Sequence, residues 1–144
     1  AGSYSIGNGA NCYVDLPAVG IMTAGCDPDA GGALTARFAA GAATISATPT
    51  QINAAGWIPT DFTLISSGSP ISALPMDPAQ SMASDLFYAY RPGAAAGVCT
   101  TGTTCTVYEI NANMESTKYA PEESGDGGSD ATRYEAGTRP LLNL

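Results

Sequence analysis

The chain has 144 residues, with 13 Asp and Glu against five Lys and Arg, no histidine and a net charge of −8. That length suits one domain; the acidic balance excludes the basic surfaces that nucleic acid and anionic membranes attract; the lack of histidine removes Ser-His and Cys-His nucleophiles, His-ligated metals and CxxCH haem attachment. No apolar run approaches the ~18 residues of a membrane-spanning helix, and charged residues make up only 12% of the chain, about half the usual ~25%.

Residues 1–55 read as an irregular region punctuated by Gly and Pro, with residues 13–16 as a short strand or extended segment ended by Pro17. The four cysteines allow three pairings. The two local ones are expected: Cys12–Cys26 around DLPAVGIMTAG, and Cys99–Cys105 closing CTTGTTC as a hairpin tip. A bridge across a ~15-residue loop contributes about 3 kcal/mol in the chain-entropy model. Without CxxC or histidine a zinc site is not expected, and disulfides imply an oxidising compartment, periplasm or cell exterior. Asp27, Asp29 and Gly31 are spaced like part of a calcium loop, but no Gly-x5-Glu follows, so they read as a solvated turn. Leu34, Phe38, Ala42 and Ile45 follow helical spacing and predict a short helix, while alternation over residues 43–48 offers a strand instead. Residues 49–56 predict one helical turn between Pro49 and Gly56.

In residues 57–78, Trp57, Ile58, Phe62, Leu64 and Ile65 form the densest apolar group, expected in the core or against a partner. Pro59, Pro70, Pro75 and Pro78 keep this segment extended, since each lacks a backbone donor. Residues 84–92 alternate, Leu86, Tyr88 and Tyr90 against Phe87, Ala89 and Arg91, and predict a strand. After Cys105, Tyr108, Ile110, Ala112 and Met114 alternate with Glu109, Asn111, Asn113 and Glu115, the period of a half-buried strand. The two strands are expected to pair as an antiparallel hairpin with Cys99–Cys105 at its mouth, their tyrosines serving as packing residues. Glu109 and Glu115, six positions apart on one strand, lie ~20 Å from each other. Paired catalytic carboxylates need ~5–9.5 Å, so no hydrolase is expected.

Residues 120–131, APEESGDGGSDA, combine Glu122, Glu123, Asp126 and Asp130 with Gly125, Gly127 and Gly128. Calcium takes six to eight oxygens from such groups, although a plain acidic surface loop has the same composition. Leu141, Leu142 and Leu144 are apolar enough to cover a sheet edge.

The order of these segments resembles the C-terminal globular domain of bacterial type IV pilins and type II secretion major pseudopilins. The resemblance covers roughly residues 56–138 and rests on four motifs in order. They are Leu-Pro-Met-Asp-Pro at 74–78, Phe-Tyr-Ala-Tyr-Arg at 87–91, Glu-Ser-Thr-Lys-Tyr at 115–119, and the Asp-Gly-Gly loop through Arg-Tyr at 126–134. It implies an α+β, sheet-dominated head with an antiparallel sheet of about 3–4 strands, long irregular loops and little helix. The whole chain is then a single domain: an irregular region over 1–55, a sheet core with acidic loop over 56–138 and a tail over 139–144.

In the pseudopilin branch the final acidic loop binds calcium. Carried onto this chain, that points to Asp126 and Asp130, with Ser124 and Ser129 as lesser ligands. Family members begin with a long apolar helix that builds the filament, whereas this chain begins with a disulfide-bearing irregular region. The resemblance therefore implies a helix carried on a separate short chain, or one removed. The expected partners are that helical chain and neighbouring copies, with Trp57, Ile58, Phe62, Leu141, Leu142 and Leu144 as the docking face. The implied function is structural, the globular subunit of an extracellular or periplasmic pilus or pseudopilus, with no catalysis, haem or nucleotide. The alternative is a calcium-dependent adhesin or carbohydrate-binding module in which Trp57 stacks on sugar.

Overall fold

The computed structural model describes residues 6–18, 20, 22–29, 32, 34–94, 99, 105–138 and 144. Five strands form one sheet: β1 (Asn11–Val14), β2 (Ala42–Thr44), β3 (Ala89–Gly93), β4 (Val107–Ala112) and β5 (Tyr134–Gly137). Their spatial order is β2-β1-β3-β4-β5. β1 and β2 run parallel, and every other pair is antiparallel. The molecule is thus sheet-dominated, as expected, but the sheet is mixed and has five strands. Two of them, β1 and β2, lie in residues 1–55 and overlap the short segment at 13–16 and the alternation over 43–48.

The β3–β4 hairpin forms as the alternation predicts, with Tyr90 opposite Ile110 and Arg91 opposite Glu109. Pro92 sits in β3 opposite Tyr108. It lies where pairing with β1 has already ended at Tyr90, so its missing N–H breaks no rung of that ladder. The helix expected around Leu34–Phe38–Ala42 does not form. Its backbone is taken by tertiary partners instead: the Phe38 N–H donates to Gly25 O, Ala39 N–H to Leu144 O, and Arg37 O accepts from the Asn111 side chain. Residues 49–56 likewise form turns rather than a helical turn. Among the described residues, helical structure is limited to two short 3-10 turns, Phe62–Leu64 and Ala120–Ser124.

The sheet separates two clusters. On one face lie Cys12, Val14, Leu16, Cys26, Phe38, Phe87, Ala89, Val107 and Leu144. On the other lie Tyr13, Trp57, Ile58, Leu74 and Tyr90, with Ile52, Phe62, Tyr88 and Ile110 packed against them. Asp15, fully buried, ties the proline-bounded segment to the sheet: its carboxylate accepts from Asp77 N–H at 2.6 Å and Tyr88 N–H at 3.0 Å. Asp27, read as solvated, is also buried.

Both expected disulfides are present, Cys12–Cys26 and Cys99–Cys105, and no cysteine is free. Two disulfides indicate an oxidising environment. Among the described residues no helix is long and apolar enough to cross a membrane.

Candidate functional site: an open apolar groove beside a buried polar layer

Alternation along β4 correctly separates its two faces, yet the buried face is the polar one. Glu109 and Asn111 are 3% and 1% exposed, while Tyr108 is 40% exposed. The reason lies in what packs on each side. Beyond Glu109 and Asn111 sits the loop carrying Arg37, the turn carrying Asp85 and the approach to β5 carrying Arg133. The Arg37 guanidinium donates to Asp85 Oδ1 at 2.9 and 3.1 Å, to Asp85 O at 2.7 Å and to Asn111 Oδ1 at 3.1 Å. It also lies 4.0 Å from the Phe87 ring centroid. Arg133 donates to Asp85 Oδ2, Asp130 Oδ2, Thr35 O and Ala36 O. Burial pulls the Arg37 guanidinium down to about 10, with Asp85 opposing that drop. A buried ion cluster of this kind holds elements in register and breaks badly when one partner is removed.

Two carboxyls meet in the same layer. Glu109 on β4 and Glu135 on β5 are both buried and share a hydrogen bond. Glu109 Oε2 also accepts from Leu144 N–H at 3.1 Å. Burial first, and then the neighbouring Glu135, push the Glu109 carboxyl up to about 8, so Glu109 keeps its proton at neutral pH. Glu135 is roofed by the acidic loop. Its carboxylate accepts from Asp130 N–H at 2.5 Å and from the Ser129 hydroxyl at 3.4 Å. Gly128 is required here, because a Cβ would stand 2.1 Å from Glu135 Oε2.

The Asp-Gly-Gly motif also has a structural role in this packing. Asp126 accepts from Gly128 N–H at 2.7 Å and from the outward-facing Glu135 N–H, and so seals the free edge of β5. Asp130 accepts from the Thr132 amide and hydroxyl and from Arg133. Burial pushes the Asp130 carboxyl up, but Thr132, Arg133 and Arg37 outweigh it and hold it below the usual range. The Ser124 hydroxyl donates to Pro121 O. The side-chain oxygens of Ser124, Asp126, Ser129 and Asp130 are therefore all engaged inside the chain. Among the described residues no group of three His, Cys, Asp or Glu is placed to hold a metal ion.

The opposite face carries the open site. Tyr90 on β3 and Tyr108 and Ile110 on β4 form its floor; Ile58, Thr60 and Phe62 form one wall and Ile6 another. The space is about 260 Å³. Residues 57–74 pack over Tyr13 and Tyr90, whose rings lie 6.1 Å apart, and reach Ile110, but leave Tyr108 uncovered. Tyr108, 6.2 Å from Tyr90, remains at the surface. The Tyr90 hydroxyl donates to Ile6 O at 2.6 Å, and burial holds that hydroxyl well above its ordinary value.

The expected docking residues divide. Ile58 and Phe62 line the groove. Trp57 is 2% exposed with its indole N–H on Pro75 O at 2.9 Å, so its ring offers no face to a sugar. Leu144 packs inside the first cluster against Gly93, and Leu141 and Leu142 lie outside the described residues. Tyr108, Ile110 and Ile6 belong to the groove and were not expected there; the alternation on β4 carries the signal for the first two. Comparison with family models, curated proteins and solved structures gives no match for this chain.

Proposed function

We propose that the chain is a structural assembly subunit, the globular head of a pilus-like or pseudopilus-like filament outside the cytoplasm, and that its groove receives an apolar helix. The observation that carries this reading is the partly uncovered sheet face: Ile6, Ile58, Phe62, Tyr90, Tyr108 and Ile110 line it without a charged side chain. On a chain of net charge −8, a neutral apolar groove selects a neutral apolar occupant. An amphipathic or fully apolar helix laid into such a groove is a recurrent mode of recognition. Order of the proline-bounded segment, tyrosine strand and acidic loop also supports the pilin-like reading. No chemistry is assigned to the chain, and its acidic loop serves in this reading as an edge cap.

The test is a pull-down of the tagged chain from its native envelope, compared with a Tyr108→Asp, Ile110→Asp variant. A stoichiometric partner bearing an apolar helix, lost in the variant, is the expected result. Recovery of the same partner with the variant would refute docking in this groove.

A further inference from the structure

Residues 6–10 are fastened to the sheet from several sides. Ile6 O accepts from the Tyr90 hydroxyl, Asn8 N–H donates to the Tyr13 hydroxyl at 3.1 Å, and Gly9 O accepts from Arg91 Nη2 at 3.0 Å. The hairpin disulfide presses on the same segment. Gly9 lies so close to Cys99 that a Cβ would stand 2.7–2.8 Å from its backbone and sulfur. Cys105 Sγ is 3.1 Å from Gly7 O. Cys105 itself is anchored, since it precedes β4 and the next residue, Thr106, donates its N–H to Gly93 O. The disulfide thus links Cys99 to the start of β4 at Cys105, and residues 6–10 lie against it.

We propose that the Cys99–Cys105 disulfide is a redox latch on the groove: closed, it holds residues 6–10 as a wall; reduced by a dithiol, it lets that wall lift. The inference rests on the docking reading for its purpose, not for its mechanics. In the reduction the S–S bond breaks, two cysteine thiols form, and the dithiol supplies two electrons and two protons and closes its own disulfide. What favours lifting once the disulfide is open is Arg91. Its side chain is 3% exposed, and its Nε has no partner among the described residues. Burial lowers its proton affinity, and Glu109 across the strand, which keeps its proton at neutral pH, supplies no counter-charge there. Admitting water over Gly9 would hydrate this guanidinium, a relief of the cost of a buried charge with few partners. Ile6, a groove-lining residue, would move with the segment.

Amide hydrogen exchange on the full chain tests the latch. A Cys99→Ser, Cys105→Ser variant keeps Cys12–Cys26. Exchange over residues 6–11 should rise by about tenfold or more, the equivalent of losing one or two anchoring hydrogen bonds, while β4 and β5 stay protected. If the variant fails to fold, the wild-type chain treated with dithiothreitol and alkylated gives the same readout, with mass spectrometry showing which bridge opened. Unchanged exchange over residues 6–11 in either form overturns the proposal. A synthetic apolar helical peptide is titrated in parallel, and weaker binding to the opened form is expected. Faster exchange with unaltered peptide binding would overturn the role of the segment as a wall. If the peptide binds neither form, the docking reading fails, and the exchange result still decides the latch.

Discussion

Replacing Glu109 with Gln should remove one pH-dependent loss of stability between pH 5 and 8. Protonated Glu109 is bonded to Glu135 and accepts from Leu144 N–H. A glutamine amide of the same shape donates to one and accepts from the other, but it cannot ionise. In the unfolded chain Glu109 titrates at an ordinary 4.5, and burial beside Glu135 raises it to about 8 in the folded protein. The native state therefore holds the proton more tightly than the unfolded state does. Stability is complete below the unfolded value and falls as pH rises through the folded one. Each pH unit in that window is worth about 1.4 kcal/mol. Full ionisation thus costs the wild-type native state about 4–5 kcal/mol, against a total stability of about 5–15 kcal/mol for such domains.

Urea denaturation of both proteins at several pH values, followed by Trp57 emission, measures the difference directly. Titrations common to both chains cancel in the subtraction. The two should coincide near pH 4.5, and the variant should be more stable by about 4–5 kcal/mol near pH 8.5. A gap that stays constant across the range would refute the buried, protonated Glu109.

Three further outcomes follow from the packing. Asp85→Ala strips Arg37 and Arg133 of a common buried partner and should cost about 3–5 kcal/mol in denaturant unfolding; a loss under 1 kcal/mol would mean that water replaces the carboxylate. Gly128→Ala forces a methyl against Glu135 Oε2 and Cβ and should cost about 1–3 kcal/mol, with faster amide exchange over residues 126–135. Trp57→Phe removes the indole donor to Pro75 O and should lower stability by about 1–3 kcal/mol through the unsatisfied carbonyl, read as a drop in melting temperature.

Local signals along the chain were sound where both partners of a contact lie close in sequence. The β3–β4 hairpin is readable from two alternating runs joined at a disulfide. The Cys12–Cys26 and Cys99–Cys105 pairings are readable from their spacing. β2 is legible only as the alternation over residues 43–48, because Ala-Ala-Thr carries little apolar signal and its partner β1 lies some thirty residues away. The helical spacing around Phe38 is a coincidence, overridden because Arg37 and Phe38 both find partners inside the molecule. Alternation on β4 tells which residues share a face but not which face is covered. That choice depends on Arg37, Asp85 and Arg133, whose meeting needs the complete topology. The contact of Glu109 with Glu135 likewise needs the β4–β5 register, which pairs Ile110 with Ala136. Of the groove only Ile58 and Phe62 are legible in the sequence; Tyr108 and Ile110 join it because nothing nearby in the chain covers their face.

The order of strands also sets when this protein can begin to exist as a folded body. β1 finds its antiparallel partner only when Tyr90 is available to meet Tyr13. At ~5–20 residues per second of synthesis, that is a wait of about 4–15 s. In the interval β1 has only the three residues of β2 to lie against, and a pair so short does not persist in water. The nascent chain therefore holds no lasting sheet until the residues around Tyr90 have been made. Cys12 and Cys26, 14 positions apart, can be joined before any sheet is present. That early bond then delivers β1 to the arriving hairpin with part of its loop already closed.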